Sequence, residues 1–461
     1  MTTIIDDKAH AVLGPSGWDR WSICPGSVVL EEGRPNPTSV YAAYGTVAHE
    51  IGAQCLIDDV DAEEFVGRTF TVGEEKHLIA VDMEMADAVN DYVAQVRLFV
   101  PDNEIRMIEQ EVPIGHLTGE TGATGTADVV GIVNGGTRLV VIDAKYGKGV
   151  QVFASSEESY APVQGRPGLR FQINGQLGMY ALGALERFGM VYDEIVEVEL
   201  VVIQPRLDHV DSVVVSVEYL REFGEEVRLA AGQVALARQF EPSELMQPPL
   251  RLTPGSLNYA SYLYPSEKAC KFCRAKAICP ALQAEVEGSM ALLSGPVGAS
   301  GFEDLTLPKK AAALVPPKDV DNAKLAEAFR AIPLIEEWVS AIGAEVDRRL
   351  HDGQKIPGLY LGVGKAGRRA WADPAAAEAE LRKRYKVDEM YEKTLISPTR
   401  AEKLVKDRPK IWAKIVQTAG IVQPEGKAKV CREGADKNPP YALPSADSFS
   451  DLTVSSGLLD D

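Results

Sequence analysis

Cysteine is scarce in this chain, with six residues in 461. That is far too few for the disulfide framework of a small secreted domain, so cysteines that cluster read as metal ligands in a reducing compartment. Long apolar runs are also missing. None approaches the roughly 20 residues that span a bilayer, and the polar start MTTIIDDKAH does not read as a signal peptide. No membrane partner and a cytoplasmic location are the expectation. Positive charge is in deficit, with a net charge of -19, which excludes a polybasic coat over nucleic acid. The deficit is uneven: residues 354–432 carry more Lys and Arg than Asp and Glu, and an acidic protein can still hold DNA through such a lobe. A phosphate-binding loop is absent as well. Gly362-Val-Gly-Lys365-Ala has neither the spacing nor the hydroxyl of G-x-x-x-x-G-K-[ST], which argues against ATP and a self-contained helicase. Lipase-type G-x-S-x-G and the zinc motif H-E-x-x-H are missing too.

What the chain does contain is the patterning of an α/β protein. Residues 10–285 read as one α/β unit, 286–320 as a linker, 321–435 as a mostly helical, basic C-terminal domain, and 436–461 as a disordered acidic tail. Val40, Tyr44, Val47, Ile51 and Cys55 recur at helical spacing and predict a helix from about Ser39 to Leu56. A second helix is predicted over Glu75–Val100. Strands then dominate: Asp128–Val133 and Arg138–Tyr146 flank Asn134-Gly135-Gly136, a strong hairpin signal. Phe171–Phe188 reads as a helix and Glu197–Gln204 as a further strand. Beyond the linker, apolar residues from Leu325 to Leu350 mark a long amphipathic helix perturbed at Pro333. Shorter helices are predicted near Pro374–Tyr385 and Pro398–Lys406.

The chemistry concentrates on the hairpin. Asp128 opens one strand and Asp143 lies near the end of its partner, so antiparallel pairing can bring the two carboxylates together with Lys145 beside them. Paired carboxylates are hard oxygen ligands suited to Mg²⁺ or Mn²⁺, and a neighbouring ammonium can act on a water or on developing phosphate charge. Glu109 and Glu111 lie upstream, and nothing in the sequence separates a ligand from a solvated strand residue there. The cysteines form a second group. Cys270-Lys-Phe-Cys273 and Cys279 give C-x₂-C-x₅-C, with Cys24 far upstream, a pattern that binds zinc or an iron–sulfur cluster. Cys55 and Cys431 have no such pattern and are expected to be free thiols.

In order and spacing, G-T-A-Asp128, hairpin, hydrophobic strand and Asp143-Ala144-Lys145 resemble the core of PD-(D/E)xK nucleases. Gly45-Thr-Val-Ala-His49, Gln176-Leu-Gly-Met-Tyr180 and the split cysteines narrow the resemblance to the RecB-like branch, including AddB and CRISPR-associated RecB-like exonucleases. The resemblance implies a restriction-endonuclease-like core, a mixed sheet flanked by helices. It implies that Asp128, Asp143, His49 and the Ala144 carbonyl hold the metal. Lys145 would act on the attacking water, with Gln176 and Tyr180 positioning DNA or Lys145. It further implies a [4Fe–4S] cluster on Cys24, Cys270, Cys273 and Cys279, with zinc as the alternative. Cys24-Pro-Gly-Ser, Asp143-Ala-Lys-Tyr-Gly-Lys-Gly and the Ser-Pro-x-x-Ala-Glu-Lys-Leu segment at 397–404 also resemble, over nearly the whole length, an uncharacterised phage and prophage family.

The resulting expectation is a metal-dependent DNA exonuclease of phage origin, working in the bacterial host cytoplasm in recombination or DNA processing. The competing expectation is an inactive DNA-binding or scaffold protein held by a four-cysteine metal site. Several features stay open between function and plain surface. These are Lys148 just past the hairpin, Lys271, Arg274 and Lys276 beside the cysteines, the connection Gln151–Arg170, and Lys365, Arg368, Arg369 and Trp371. The acidic–apolar tail is a candidate dock for a phage single-strand annealing or single-strand-binding protein.

Overall fold

The computed structural model describes residues 2–5, 11–36, 38–74, 76–155, 173–245, 262–291, 322–360 and 408–419. The chain divides into two compact units, 1–356 and 357–461.

The first unit opens with β1 (Thr2–Ile5), then α1 (Trp18–Trp21), α2 (Gly26–Glu31) and α3 (Val40–Asp58). β2 (Thr69–Val72) and β3 (His77–Ala80) follow, then α4 (Met83–Phe99), β4 (Ile105–Pro113) and α5 (Gly115–Thr118). Next come β5 (Thr124–Val133), β6 (Arg138–Ala144), α6 (Gly175–Phe188), β7 (Glu197–Gln204), β8 (His209–Ser216) and α7 (Val217–Ala237). The unit closes with α8 (Pro242–Leu245), α9 (Glu267–Lys271), α10 (Pro280–Ala291) and α11 (Asn322–His351). In the second unit the described residues include α12 (Pro409–Ala419).

Local chemistry sets the helix starts. Ser39, Asp82, Asn174, Ser216 and Ser266 precede α3, α4, α6, α7 and α9, each accepting a backbone N–H from the first turn. Such caps each stabilise a helix by about 1 kcal/mol. Two of them correct the sequence reading. The helix predicted over Glu75–Val100 begins only after Asp82, because His77–Ala80 pairs antiparallel with β2 instead. The helix predicted from Phe171 begins at Gly175, since Ile173 forms a β-bridge with Ser155 and Asn174 caps. α11 runs from Asn322 to His351 with Pro333 inside it.

The main sheet has the order β4-β5-β6-β7-β8, with β6 and β7 parallel and the other neighbours antiparallel. A small sheet holds β1-β2-β3. Alternation along the central strands serves two cores. Leu139, Val141, Leu200 and Val202 face α6, α7, Trp18 and Trp21. Val140, Ile142, Val201 and Ile203 face α3 and α4. A strand covered on both faces reads as a continuous apolar run, which is why Val140–Ile142 is so apolar. A third core gathers Cys24, Val29, Leu30, Leu245, Cys270, Cys273, Cys279 and Leu282, with Leu334, Ile335 and Trp338 of α11 packed against it.

The helices predicted at Pro374–Tyr385 and Pro398–Lys406, the group Lys365–Trp371, Cys431 and the tail lie outside the described residues. So do most of the predicted linker and of the Gln151–Arg170 connection. Among the described residues no helix is long and apolar enough to cross a membrane.

Candidate active site

Strand register builds the site. In the β5–β6 ladder the last pair is Val129 with Ile142, so one step further sets Asp128 opposite Asp143. In the β4–β5 ladder Ile108 pairs with Val129 and Gln110 with Ala127, and Glu109 falls opposite Asp128 in the gap between them. Three carboxylates therefore stand in one row across β4, β5 and β6. Like charges facing one another across strands destabilise a sheet. The backbone departs from the ladder there as well: Glu109 has φ 49°, a left-handed value unusual for a non-glycine residue in a strand.

Helices supply the rest. α3 brings His49, whose Nδ1 lies 3.1 Å from Asp128 Oδ1, while the Ala144 N–H donates to Asp128 Oδ2 at 2.6 Å. The Lys145 ammonium lies 2.8 Å from Asp143 Oδ2 and donates to Gln176 Oε1 at 3.0 Å. Gln176 Nε2 donates to Asp143 Oδ1 at 3.1 Å and to the Tyr180 hydroxyl at 3.2 Å. Gln176 thus ties acid and base together from one amide. The Lys145 backbone is fixed too, its N–H bonding to the Ile203 carbonyl at 2.9 Å.

α6 sits low enough to make these contacts because of its glycines. A Cβ at Gly175 would stand 2.1 Å from Trp18 Cδ1, and one at Gly183 would stand 2.7 Å from the Pro113 carbonyl oxygen. Under 3 Å something must shift, so Gly175 sets how closely the helix approaches Trp18 of α1 and Gly183 how closely it approaches β4.

Electrostatics follow the geometry. Asp143 is only 4% exposed, and burial raises its pKa, with the Asp128 charge adding to the effect against Lys145. Burial pushes Asp128 the same way, but the charge and hydrogen bond of His49 and the Ala144 N–H hold it below the ordinary value. Burial would lower His49; Asp128 outweighs it and lifts the imidazole to about 9. Burial likewise opposes the ammonium of Lys145, and Asp143 overcomes it. Tyr180 and Tyr92 are both raised by burial first, then by the nearest carboxylate, Asp143 for one and Asp128 for the other. Tyr92 packs against α3 from the opposite side of the sheet to Tyr180.

The four patterned cysteines share the third core and are all buried, although Cys24 stands 246 positions before Cys270 in the numbering. The Tyr264 N–H points to Cys24 Sγ at 3.3 Å. Backbone N–H groups also lower Cys270, Cys273 and Cys279, but burial dominates and raises every thiol, Cys24 to about 12 and Cys270 to about 11. Glu31, buried on α2, clasps the same lobe. It accepts the Arg274 N–H at 2.7 Å and pairs with Arg20 Nε at 3.1 Å.

Against known proteins, a family model described as "Protein of unknown function (DUF2800)" matches residues 10–439. The chain belongs to the DUF2800 family. The matched span of this DUF2800 protein takes in the carboxylate row, His49, the α6 residues and all four patterned cysteines. A solved structure described as "Crystal structure of SSO0001" aligns at 16% identity over 44% of this chain and 72% of that one, with a TM-score of 0.19. That likeness is too slight to bear on fold or function.

Every site residue expected from the sequence of this DUF2800 member lies in one of the two clusters. His49, Asp128, Asp143, Ala144, Lys145, Gln176 and Tyr180 meet at the row; Cys24, Cys270, Cys273 and Cys279 meet in the third core. Glu109 is the addition. Among the described residues, His49, Glu109 and Asp128 form the one His/Cys/Asp/Glu group whose ligand atoms all lie within 4.8 Å of one another. The signal that would find it is pairing arithmetic, which needs β4 identified first.

Proposed function

We propose that this protein is a metal-dependent deoxyribonuclease of the RecB-like PD-(D/E)xK type, more an exonuclease than an endonuclease. One observation carries the reading: Glu109, Asp128 and Asp143 in a row across adjacent strands, with His49 at one side and Lys145 at the other. The donor set fits a hard divalent cation, Mg²⁺ or Mn²⁺, with three carboxylates and one imidazole gathered where the sheet alone would disfavour them. Glu109, Asp128, Asp143 and His49 would hold it, and when bound it would supply Lewis acidity to a phosphate oxygen.

The chain's own groups do the remainder. The Lys145 ammonium, positioned by Gln176 and Asp143, would offset charge on the pentavalent phosphorus and orient the attacking water. Water attacks phosphorus in line and loses a proton to solvent, while the P–O bond to the leaving nucleotide breaks and the leaving oxygen takes up a proton from solvent. Gln176 holds Lys145 at the row, and Tyr180 holds Gln176. DNA would be the partner, and the reading includes no role for ATP.

The cysteine lobe would carry a [4Fe–4S] cluster with a structural role. Four buried cysteines share the third core, and the backbone N–H aimed at Cys24 Sγ is the kind of donor that a metal-bound thiolate accepts. Tetrahedral zinc with bonds of about 2.3 Å needs its sulfurs only about 3.8 Å apart. Zinc on the same four sulfurs is the alternative, and metal analysis separates it from iron. A ligand that binds only the folded state adds its binding energy to folding, here joining the segment before α3 to the lobe after α8.

Digestion of end-labelled linear DNA with Mg²⁺ or Mn²⁺, wild type beside Asp143→Ala and Lys145→Ala, tests the nuclease reading. Degradation by wild type alone is expected. Equal degradation by all three, or none by any, leaves an inactive DNA-binding or scaffold protein.

A further inference from the structure

Helix α3 changes character along its length. Its later turns are packed: Ile51 and Cys55 are fully buried, and a Cβ at Gly52 would stand 3.0 Å from the Tyr92 ring. Its first turns are open. Tyr41 is 85% exposed and Tyr44 is 38% exposed, and a Cβ at Gly45 would meet nothing within 4 Å. Tyr41, Gly45 and His49 recur every fourth residue, so they make one ridge that runs to the carboxylate row, with Tyr44 beside it.

Among the described residues, nothing accounts for this ridge. Gly45 has no positive φ and, among the described residues, no close neighbour, yet glycine inside a helix lowers stability relative to alanine. Nor are the tyrosines exposed because the helix frays. Ser39 caps the Ala42 N–H at 3.1 Å, and His77 Nε2 lies 2.6 Å from the Thr38 carbonyl oxygen. The rings are presented on a fixed element.

A pair of cations lies alongside. Lys148 and Arg206 both donate to the exposed carboxylate of Glu84, Arg206 at 2.8 Å. Arg206 also stacks 4.6 Å over the ring of Tyr146, the residue after Lys145. Tyr146 shares the core beneath α3 with Ala43, Val47 and Ala48, which sets the cation pair beside the ridge. Tyrosine faces with flanking basic groups are what an unpaired strand needs, since its bases are free to stack and its phosphates need counter-charge. In a duplex the bases already stack on each other.

We propose that the α3 ridge is the approach track of a single DNA strand. Bases stack on Tyr41 and Tyr44, the sugar–phosphate backbone crosses the bare helix at Gly45, and phosphates displace Glu84 from Lys148 and Arg206. What happens at the end of the track rests on the nuclease reading; the stacking does not.

Fluorescence anisotropy of the full-length protein tests the track, using dye-labelled oligothymidylate and a duplex of equal length, without divalent cation. Wild type should bind the single strand more tightly. Tyr41→Ala and Tyr44→Ala should each weaken that binding by roughly 5- to 150-fold, while Tyr41→Phe and Tyr44→Phe stay within about twofold because the ring remains. Gly45→Ala should raise the thermal midpoint by about 1–2 °C. Gly45→Leu should weaken binding with no loss of thermal midpoint. Unchanged single-strand Kd in both Tyr→Ala variants, or equal affinity of wild type for duplex, overturns the track. Tyrosine-dependent binding by a protein that cleaves nothing with Mn²⁺ sinks the nuclease reading and leaves the track. Cleavage with unchanged affinity in the Tyr→Ala variants does the reverse.

Discussion

Asp143 near the end of β6 and Lys145 just past it form an ion pair that by itself would pass for an ordinary strand-end contact. Gln176 changes that, because it donates to Asp143 Oδ1 and accepts from Lys145, fixing both. Glu109 carries the clearest residue-scale prediction. A left-handed non-glycine residue in a strand stores strain of about 1 kcal/mol or more, and Glu109 has φ 49° beside another carboxylate. Glu109→Gly should therefore stabilise the metal-free protein by about 1 kcal/mol, read from urea denaturation. It should also reduce the rise in thermal midpoint that Mn²⁺ gives the wild type. A variant less stable without metal, yet equally stabilised by Mn²⁺, would show that Glu109 is no ligand.

At the scale of elements, α6 is the part whose seating matters most to the site. Gly175→Ala places a methyl 2.1 Å from Trp18 Cδ1, and an overpacked contact of this kind costs about 1–3 kcal/mol. The variant should lose several degrees of thermal midpoint and much of its DNA cleavage, because Gln176 is the next residue. α11 gives a pH prediction. Hydrogen bonds from Arg348, opposed by burial and aided by Arg349, pull the Glu345 carboxyl down to about 2. A folded-state value below the unfolded one contributes stability above pH 4.5, lost as pH falls towards 2. Glu345→Gln should cost about 1 kcal/mol at neutral pH, discounted because the arginines are partly exposed. The cost should shrink steadily on acidification below pH 4.5.

The elements also show what was legible in the sequence. β6 and β7 stand out because both faces are buried and the text is apolar throughout. β4 does not, since Ile105–Pro113 mixes charged residues with apolar ones on an edge strand, and Glu109 stayed unplaced with it. The helix predicted from Glu75 failed for a local reason: the apolar residues of His77–Ala80 fit a helical period as well as a strand, and the Asp82 cap decides between them. His49, Asp128, Asp143, Lys145 and Gln176 were legible only jointly, through their order along the chain. No periodicity reports that a residue on α3 meets one on β5.

For the molecule as a whole, the third core closes a loop of sequence from Cys24 to Cys279, with Glu31 as an ionic clasp beside the thiols. The proposed cluster predicts about four irons per chain with absorbance near 400 nm in the wild type, and their loss in Cys24→Ser. It should also open the segment before α3 and the lobe after α8 to limited proteolysis. A colourless wild type containing stoichiometric zinc would contradict the cluster while leaving the carboxylate row untouched.

The most direct test of the central claim separates metal binding from turnover. Mn²⁺ binding, followed by electron paramagnetic resonance, is measured beside cleavage of end-labelled linear DNA in wild type, Asp143→Ala and Lys145→Ala. Lys145→Ala is predicted to keep Mn²⁺ affinity within about threefold and lose cleavage by about 10²–10⁴-fold, whereas Asp143→Ala loses both. Cleavage by Asp143→Ala at the wild-type rate, or a wild type that binds no Mn²⁺ and cleaves no DNA, would contradict the account.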